Sequence, residues 1–181
     1  MSNSRRGDNF ALKCFFDDLF VINIKQRRTH TEITLQLLTD DVLTEKLPQV
    51  SSLLEQFIPQ IFEHNCFNGA QLSFAQEVKN TEIGHLFEHV LLEYISQIKF
   101  TREKKQTGLK GETYWDWNSE PRGTFHIVLS LSREESDVLL EALGKGVHLL
   151  KIILNSQTAQ PAPKKELIDT LKRNKPPLNV F

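Results

Sequence analysis

The proline-free run from Thr81 to Ile98 constrains this chain more than any other part of it. Ile83, Leu86, Phe87, Val90, Leu91, Tyr94, Ile95 and Ile98 recur at helical spacing, which predicts a helix with one broad apolar face. Asn80 or Thr81 is the expected N-cap. On the other side of that helix stand His85 and His89, one turn apart, in a stripe with Glu82, Glu93 and Ser96. At about 100° per residue they fall nearly opposite the centre of the apolar face and are not expected in the core. Leu92 lies on the same side and implies that another element partly covers it.

Within this helix the order His85-Leu86-Phe87-Glu88-His89 carries chemistry. Two imidazoles at i and i+4 can chelate one Zn²⁺, and Glu88 between them can act as general base toward a water activated by the metal. This is the H-x-x-E-H order of inverzincin metallopeptidases. The alternative is an ordinary pair of solvated residues on a polar helix face. A catalytic zinc takes three protein ligands and keeps a fourth position open, so the pair needs a third donor. Glu93 lies about 12 Å along the axis from His85 at 1.5 Å per residue, and suits orienting a ligand from behind better than binding. His64 and Cys66 are better candidates. They follow a predicted amphipathic helix, Ser51 to Phe62, whose stripe of Leu53, Leu54, Phe57, Ile58 and Ile61 continues despite Pro59. Each also has an ordinary reading, as a small buried hydrophobe for the thiol and a carbonyl cap for the histidine.

Taken together, Leu47-Pro48, Ile58-Pro59, Glu63-His64-Asn65-Cys66, Phe74 and the run from Thr81-Glu82-Ile83-Gly84-His85 through Glu88-His89-Val90 to Leu92-Glu93 resemble the N-terminal domain of cyanophycin synthetase. The match is close at 58–66 and 81–93, weaker elsewhere, and extends over residues 18–150. The resemblance implies a domain that binds cyanophycin, a polyaspartate with arginine on each side chain. In many members it also implies a metallopeptidase-like site that cuts the polymer into primers. Phe67-Asn68-Gly69-Ala70 is shorter and less glycine-rich than the family's segment, Glu93-Tyr94-Ile95 replaces Glu-Leu-Gln, and Phe100-Thr101-Arg102 is what survives of a Gly-Arg-Thr-Arg-like segment. These departures leave the metal ligands in place and bear on substrate specificity. The synthetase's ATP-grasp and Mur-ligase-like domains have no counterpart here, so a stand-alone domain that does not itself polymerise is expected.

With 181 residues, 39% hydrophobic and 25% charged, the chain can bury one good core. A formal net charge of −1 gives no general attraction to nucleic acid or an anionic membrane. No apolar run approaches the ~20 residues of a membrane span, and Met1 to Asn9 lacks a secretory apolar segment, so a cytoplasmic protein is expected. Cys14 and Cys66 are then reduced thiols.

An α+β fold is expected, an antiparallel sheet with helices packed on one face. Asp18 to Lys25 and Thr31 to Leu38 read as a hairpin, as do Glu112 to Asn118 and Gly123 to Leu131. Asp40 to Leu47 and Ser51 to Phe62 read as helices, and Phe67 to Asn80 as a short strand or loop. Ser132 opens a last helix with Glu135 in a capping box, running to about Leu154. Residues 1–155 form one domain, and 156–181, with two prolines in the Asn155 to Lys165 linker, form a flexible or docking tail.

Substrate contacts are expected from Arg102, Trp115, Asp116 and Arg122, since cyanophycin presents guanidinium and carboxylate groups. Tyr114 to Trp117 are placed on one strand, alternating between its faces. The leading expectation is a zinc-dependent metallopeptidase-like hydrolase, one Zn²⁺ per chain, acting on cyanophycin or a related Asp/Arg-rich peptide. Its partners are that polymer and, among proteins, one of synthetase type. The alternative is a non-catalytic polymer- or protein-binding module of the same fold; a structural metal site is the third reading.

Overall fold

The computed structural model describes residues 10–66, 72–104 and 108–156. Five strands, β1 (Phe10–Phe16), β2 (Phe20–Gln26), β3 (Thr31–Leu37), β4 (Gly111–Tyr114) and β5 (Thr124–Leu129), form one antiparallel sheet in the order β1-β2-β3-β5-β4. Strict alternation makes the sheet two-faced. Ile22, Ile24, Ile33, Leu35, Phe125 and Ile127 are buried on one side, while Lys13, Asn23, Thr34, His126 and Tyr114 form a cross-strand row on the other. The helices cover the first face, as expected of the α+β arrangement. β1 was not anticipated, although Leu12, Cys14 and Phe16 alternate with Ala11, Lys13 and Phe15. Asp17, at φ 51°, turns the chain tightly into β2, which therefore starts at Phe20 and not at Asp18.

The described residues include four helices: α1 (Val50–Phe57), α2 (Phe74–Glu77), α3 (Ile83–Glu103) and α4 (Ser136–Asn155). α3 is the expected central helix, with Glu82 rather than Asn80 or Thr81 at its N-cap and Lys104 in the left-handed region at its end. Its apolar side packs on the sheet and on α4, where Gly146 admits Leu91 at close range. The Ser132–Glu135 capping box forms as read, around a 3-10 turn that leads into α4. Lys99, buried on α3, donates to the same Glu135 at 2.5 Å and ties the two helices together.

Three readings change. Asp40 to Leu47 is not a helix but a single 3-10 turn, Thr44–Lys46: Leu43 bridges Glu82, with Thr44 N donating to Thr81 O and Ile83 N to Val42 O, and Leu47 before Pro48 is held out of the helical region. The predicted Ser51 to Phe62 helix breaks at Pro59, which lacks an N–H and whose ring would clash with the preceding turn; Ile58 leaves helical geometry and a 3-10 turn, Pro59–Glu63, follows. Within 67–80, α2 is a capped helical turn rather than a strand or loop, and 67–71 lie outside the described residues. Of the tail, Ser156 caps α4 and 157–181 lie outside the described residues. No helix among the described residues is long and apolar enough to cross a membrane.

Candidate metal centre

The break at Pro59 sets the position of the site. Instead of continuing along α1, the chain turns through Pro59–Glu63 and lays His64 and Cys66 against the polar stripe of α3, with Phe74 of α2 beside them. The stripe is therefore not solvated, as helical phase alone would place it. His89 is 4% exposed and Glu93 6%, and the Phe74 ring stacks on His89 with centroids 4.0 Å apart. The cover that Leu92 implied is this segment.

Three donors converge. His85 Nε2 and His89 Nε2 lie 3.1 Å apart, and Cys66 Sγ lies 3.2 Å from the first and 3.5 Å from the second. A tetrahedral zinc with ordinary bond lengths would set these edges at roughly 3.3 Å between nitrogens and roughly 3.6 Å between nitrogen and sulfur. One thiol and two imidazoles, one ligand atom from each and all within 4.8 Å of one another, thus fit a single ion of zinc's size and softness. Burial lowers the pKa of His85, against the pull of Glu77 and Glu82; His89 is pushed down to about 3 by burial and by the neighbouring His85 and His64. Both rings are thereby kept neutral, the form that binds metal.

Polar groups stand behind each of the three donors. Thr81 Oγ1 lies 2.8 Å from His85 Nδ1. Glu77 Oε2 is 3.5 Å from the same nitrogen and accepts from the Cys66 thiol at 3.2 Å. His64 sits outside the convergent group: its Nδ1 faces His89 Nδ1 at 3.0 Å and its Nε2 faces Glu93 Oε2 at 2.8 Å. Glu93 also accepts from Gln97 at 2.7 Å. Burial alone would raise the Glu93 carboxyl, but the hydrogen bonds from His64 and Gln97 outweigh it and hold the group ionised to lower pH.

Glu88 is 5% exposed. Burial raises its pKa, offset in part by the hydrogen bond from Thr113 and assisted by the charge of Glu112. Thr113 Oγ1 donates to Glu88 Oε2 at 2.6 Å, and Gly111 leaves room for the carboxylate, since a Cβ there would be 2.5 Å from Oε1. β4 therefore grips Glu88 through Gly111 and Thr113. Neither residue was legible in advance, because they meet α3 only after the sheet forms; Thr81, four residues before His85 at a helix start, carried a readable signal.

The expected substrate residues divide. Trp115 and Trp117 do not alternate on a strand, since β4 ends at Tyr114; both set their rings edge-on to Phe125, at 5.8 and 5.6 Å. The Arg122 guanidinium lies 4.7 Å from the Trp117 ring centroid, and Asp116 accepts from Asn118 N and Ser119 Oγ. Phe125 in turn packs on Gly84, so this loop adjoins the first turn of α3, beside His85. Arg102 is some 25 Å along α3 from His85 by helical rise, paired with Asp137 and Glu141 of α4.

No curated protein and no solved structure matches the chain. The family model described as Cyanophycin synthase-like N-terminal domain matches residues 32–155, a stretch that begins in β3 and includes Cys66, His85, Glu88, His89 and the whole of α3 and α4. By a match over more than half its length, the chain belongs to the cyanophycin synthase-like N-terminal domain family.

Proposed function

We propose that this chain is a zinc-dependent metallopeptidase-like hydrolase of cyanophycin or a related Asp/Arg-rich peptide, with one zinc held by Cys66, His85 and His89 and with Glu88 as general base. The observation that supports it most is the convergence of one Sγ and two Nε2 atoms on a single point. Three protein donors leave a coordination position for water or substrate. When bound, zinc supplies Lewis acidity to a carbonyl and lowers the pKa of a water. A carboxylate whose pKa is raised by burial is a stronger base than a solvated one, so Glu88 is suited to taking a proton from water and returning it to the leaving amine. Trp115, Asp116 and Arg122 offer ring faces and a carboxylate for guanidinium groups and a cation for carboxylates. Arg102 would join them only if its pairs with Asp137 and Glu141 opened. A cytoplasmic setting, where Cys66 stays a thiol, and a synthetase-type protein as partner belong to the same proposal.

One observation favours the binding-module reading. Glu88 Oε2 is held by Thr113 and Oε1 lies against Gly111, which is how a carboxylate that ties α3 to β4 would sit. Glu88→Gln separates the two. As a base, its loss should retain zinc and polymer binding while turnover falls ~10²–10⁴-fold. Wild-type protein that carries zinc and binds the polymer but releases no fragments would establish the module instead.

A further inference from the structure

His64 stands beside the donor group, yet its ring is turned to a different task. His89 has two nitrogens, and only Nε2 faces Cys66 and His85; its Nδ1 is aimed at His64 Nδ1, 3.0 Å away. If Nε2 gives its lone pair to a metal, Nδ1 carries the proton and donates it to His64 Nδ1, which must then be an acceptor. His64 Nε2 is left protonated and donates to Glu93 Oε2 at 2.8 Å, while Gln97 fixes the other Glu93 oxygen. Every donor in this chain meets an acceptor under one assignment of protons. With Glu93 ionised, that assignment points the His89 lone pair at the centre. Phe74, stacked on His89, holds the plane of the same ring.

We propose that His64 is a positioning residue rather than a metal ligand, and that with Glu93 it forms a carboxylate–imidazole relay that fixes the orientation and tautomer of His89. The inference rests on the metal centre proposed above and extends the chemistry by which a carboxylate or carbonyl orients a ligating imidazole, here with a second imidazole interposed. The chain thus commits a half-buried imidazole and a buried carboxylate, from two different elements, to one nitrogen of His89.

Cobalt loading and zinc affinity test it, on the full chain. Wild-type protein should bind one Co²⁺ with a tetrahedral visible spectrum and a thiolate-to-cobalt charge-transfer band, and should hold Zn²⁺ against a chelator. His64→Ala should keep the stoichiometry and both spectral features, while zinc affinity falls ~10–100-fold. Glu93→Gln should weaken affinity in the same direction, and combining the two should add little, because one relay is lost once. His64→Gln, whose amide can accept from His89 and donate to Glu93, should recover part of the loss. The proposal is overturned if His64→Ala removes stoichiometric binding or changes the coordination spectrum, which would make His64 a ligand. It is equally overturned if affinity is unchanged. Wild-type protein that binds neither ion, or a charge-transfer band that survives Cys66→Ala, refutes the centre itself and the relay with it. Thermal melts of each metal-free variant confirm that the comparison is between folded proteins.

Discussion

Gly84 immediately precedes His85, the first donor of α3, and its substitution by alanine tests the packing that places the motif. A Cβ at Gly84 would lie within the van der Waals shell of the Phe125 ring and 2.7 Å from Phe125 Cβ, about 0.7 Å inside the 3.4 Å at which ordinary contact begins. The ring can rotate, but Phe125 Cβ is fixed by its place in β5, so relief requires α3 to move away from the sheet. Overpacking of this kind costs about 1–3 kcal/mol. Alanine's helix propensity returns up to about 1 kcal/mol over glycine, less in a first turn, so sterics should win. For a chain of this size the net loss lowers Tm by roughly 2–4 °C per kcal/mol. Because His85 and His89 ride on the same helix, zinc affinity should fall in parallel. Thermal and urea unfolding of the metal-free protein measure the first effect, and chelator competition the second. Gly144→Ala is the control: it lies in α4 with nothing within 4 Å of its added Cβ, and should stabilise by up to about 1 kcal/mol. In a Phe125→Gly background, which removes the Cβ as well as the ring, the penalty at Gly84 should shrink. Gly84→Ala as stable as wild type, or equally destabilising with and without the Phe125 side chain, would refute the packing argument.

Purified protein is expected to carry about one zinc per chain, and Cys66→Ala, His85→Ala and His89→Ala should each lose it, since two donors are too few for a stable centre; elemental analysis showing undiminished zinc in the His85→Ala/His89→Ala pair would contradict this. The metal-free protein should lose stability as pH falls. His89 is neutral in the folded chain down to about pH 3, whereas its unfolded counterpart binds a proton below about 6.5, so protonation favours unfolding throughout that window. Urea midpoints at pH 7.5 and 5 should differ by the equivalent of roughly 1 kcal/mol per pH unit below 6.5, and a midpoint that rises toward pH 5 would reverse the sign. Lys99→Ala leaves Glu135 without its buried partner and should destabilise by about 1–3 kcal/mol, more than Lys145→Ala on the exposed face of α4; equal effects in denaturant melts would show the Lys99 pair to be inert.

Legibility followed the range of the interactions. α3 was readable because eight apolar residues repeat over 18 positions, and the Ser132 capping box because its partners are three residues apart. The link between Glu63–Cys66 and the histidine pair came from motif chemistry and family resemblance, not from periodicity. What escaped depends on contacts distant in sequence. Helical phase placed His89 and Glu93 on a polar face, which is true of the isolated helix. It could not say that Phe74 and His64 would cover that face. Gly111 and Thr113 acquire their role only when β4 has paired with β5 and met α3. At Pro59 the apolar stripe runs on without interruption, but a missing donor and a steric clash override the pattern.

The double duty of α3 has an evolutionary consequence. Its sequence interleaves adjacent pairs of side chains that hold the core, Leu86–Phe87 and Val90–Leu91, with side chains one turn apart that face the donor cluster, His85, His89 and Glu93. A lineage cannot shift the register of one set without shifting the other, so drift in this helix is constrained twice over. The opposing donor, Cys66, comes from an irregular segment, and the Trp115–Arg122 stretch lies on a loop that adjoins the helix at one end. Diversification of ligand set or specificity therefore has a cheap direction, through those two segments. Relatives that differ in ligand set or specificity should differ there first, while the helix that presents the histidines stays recognisable.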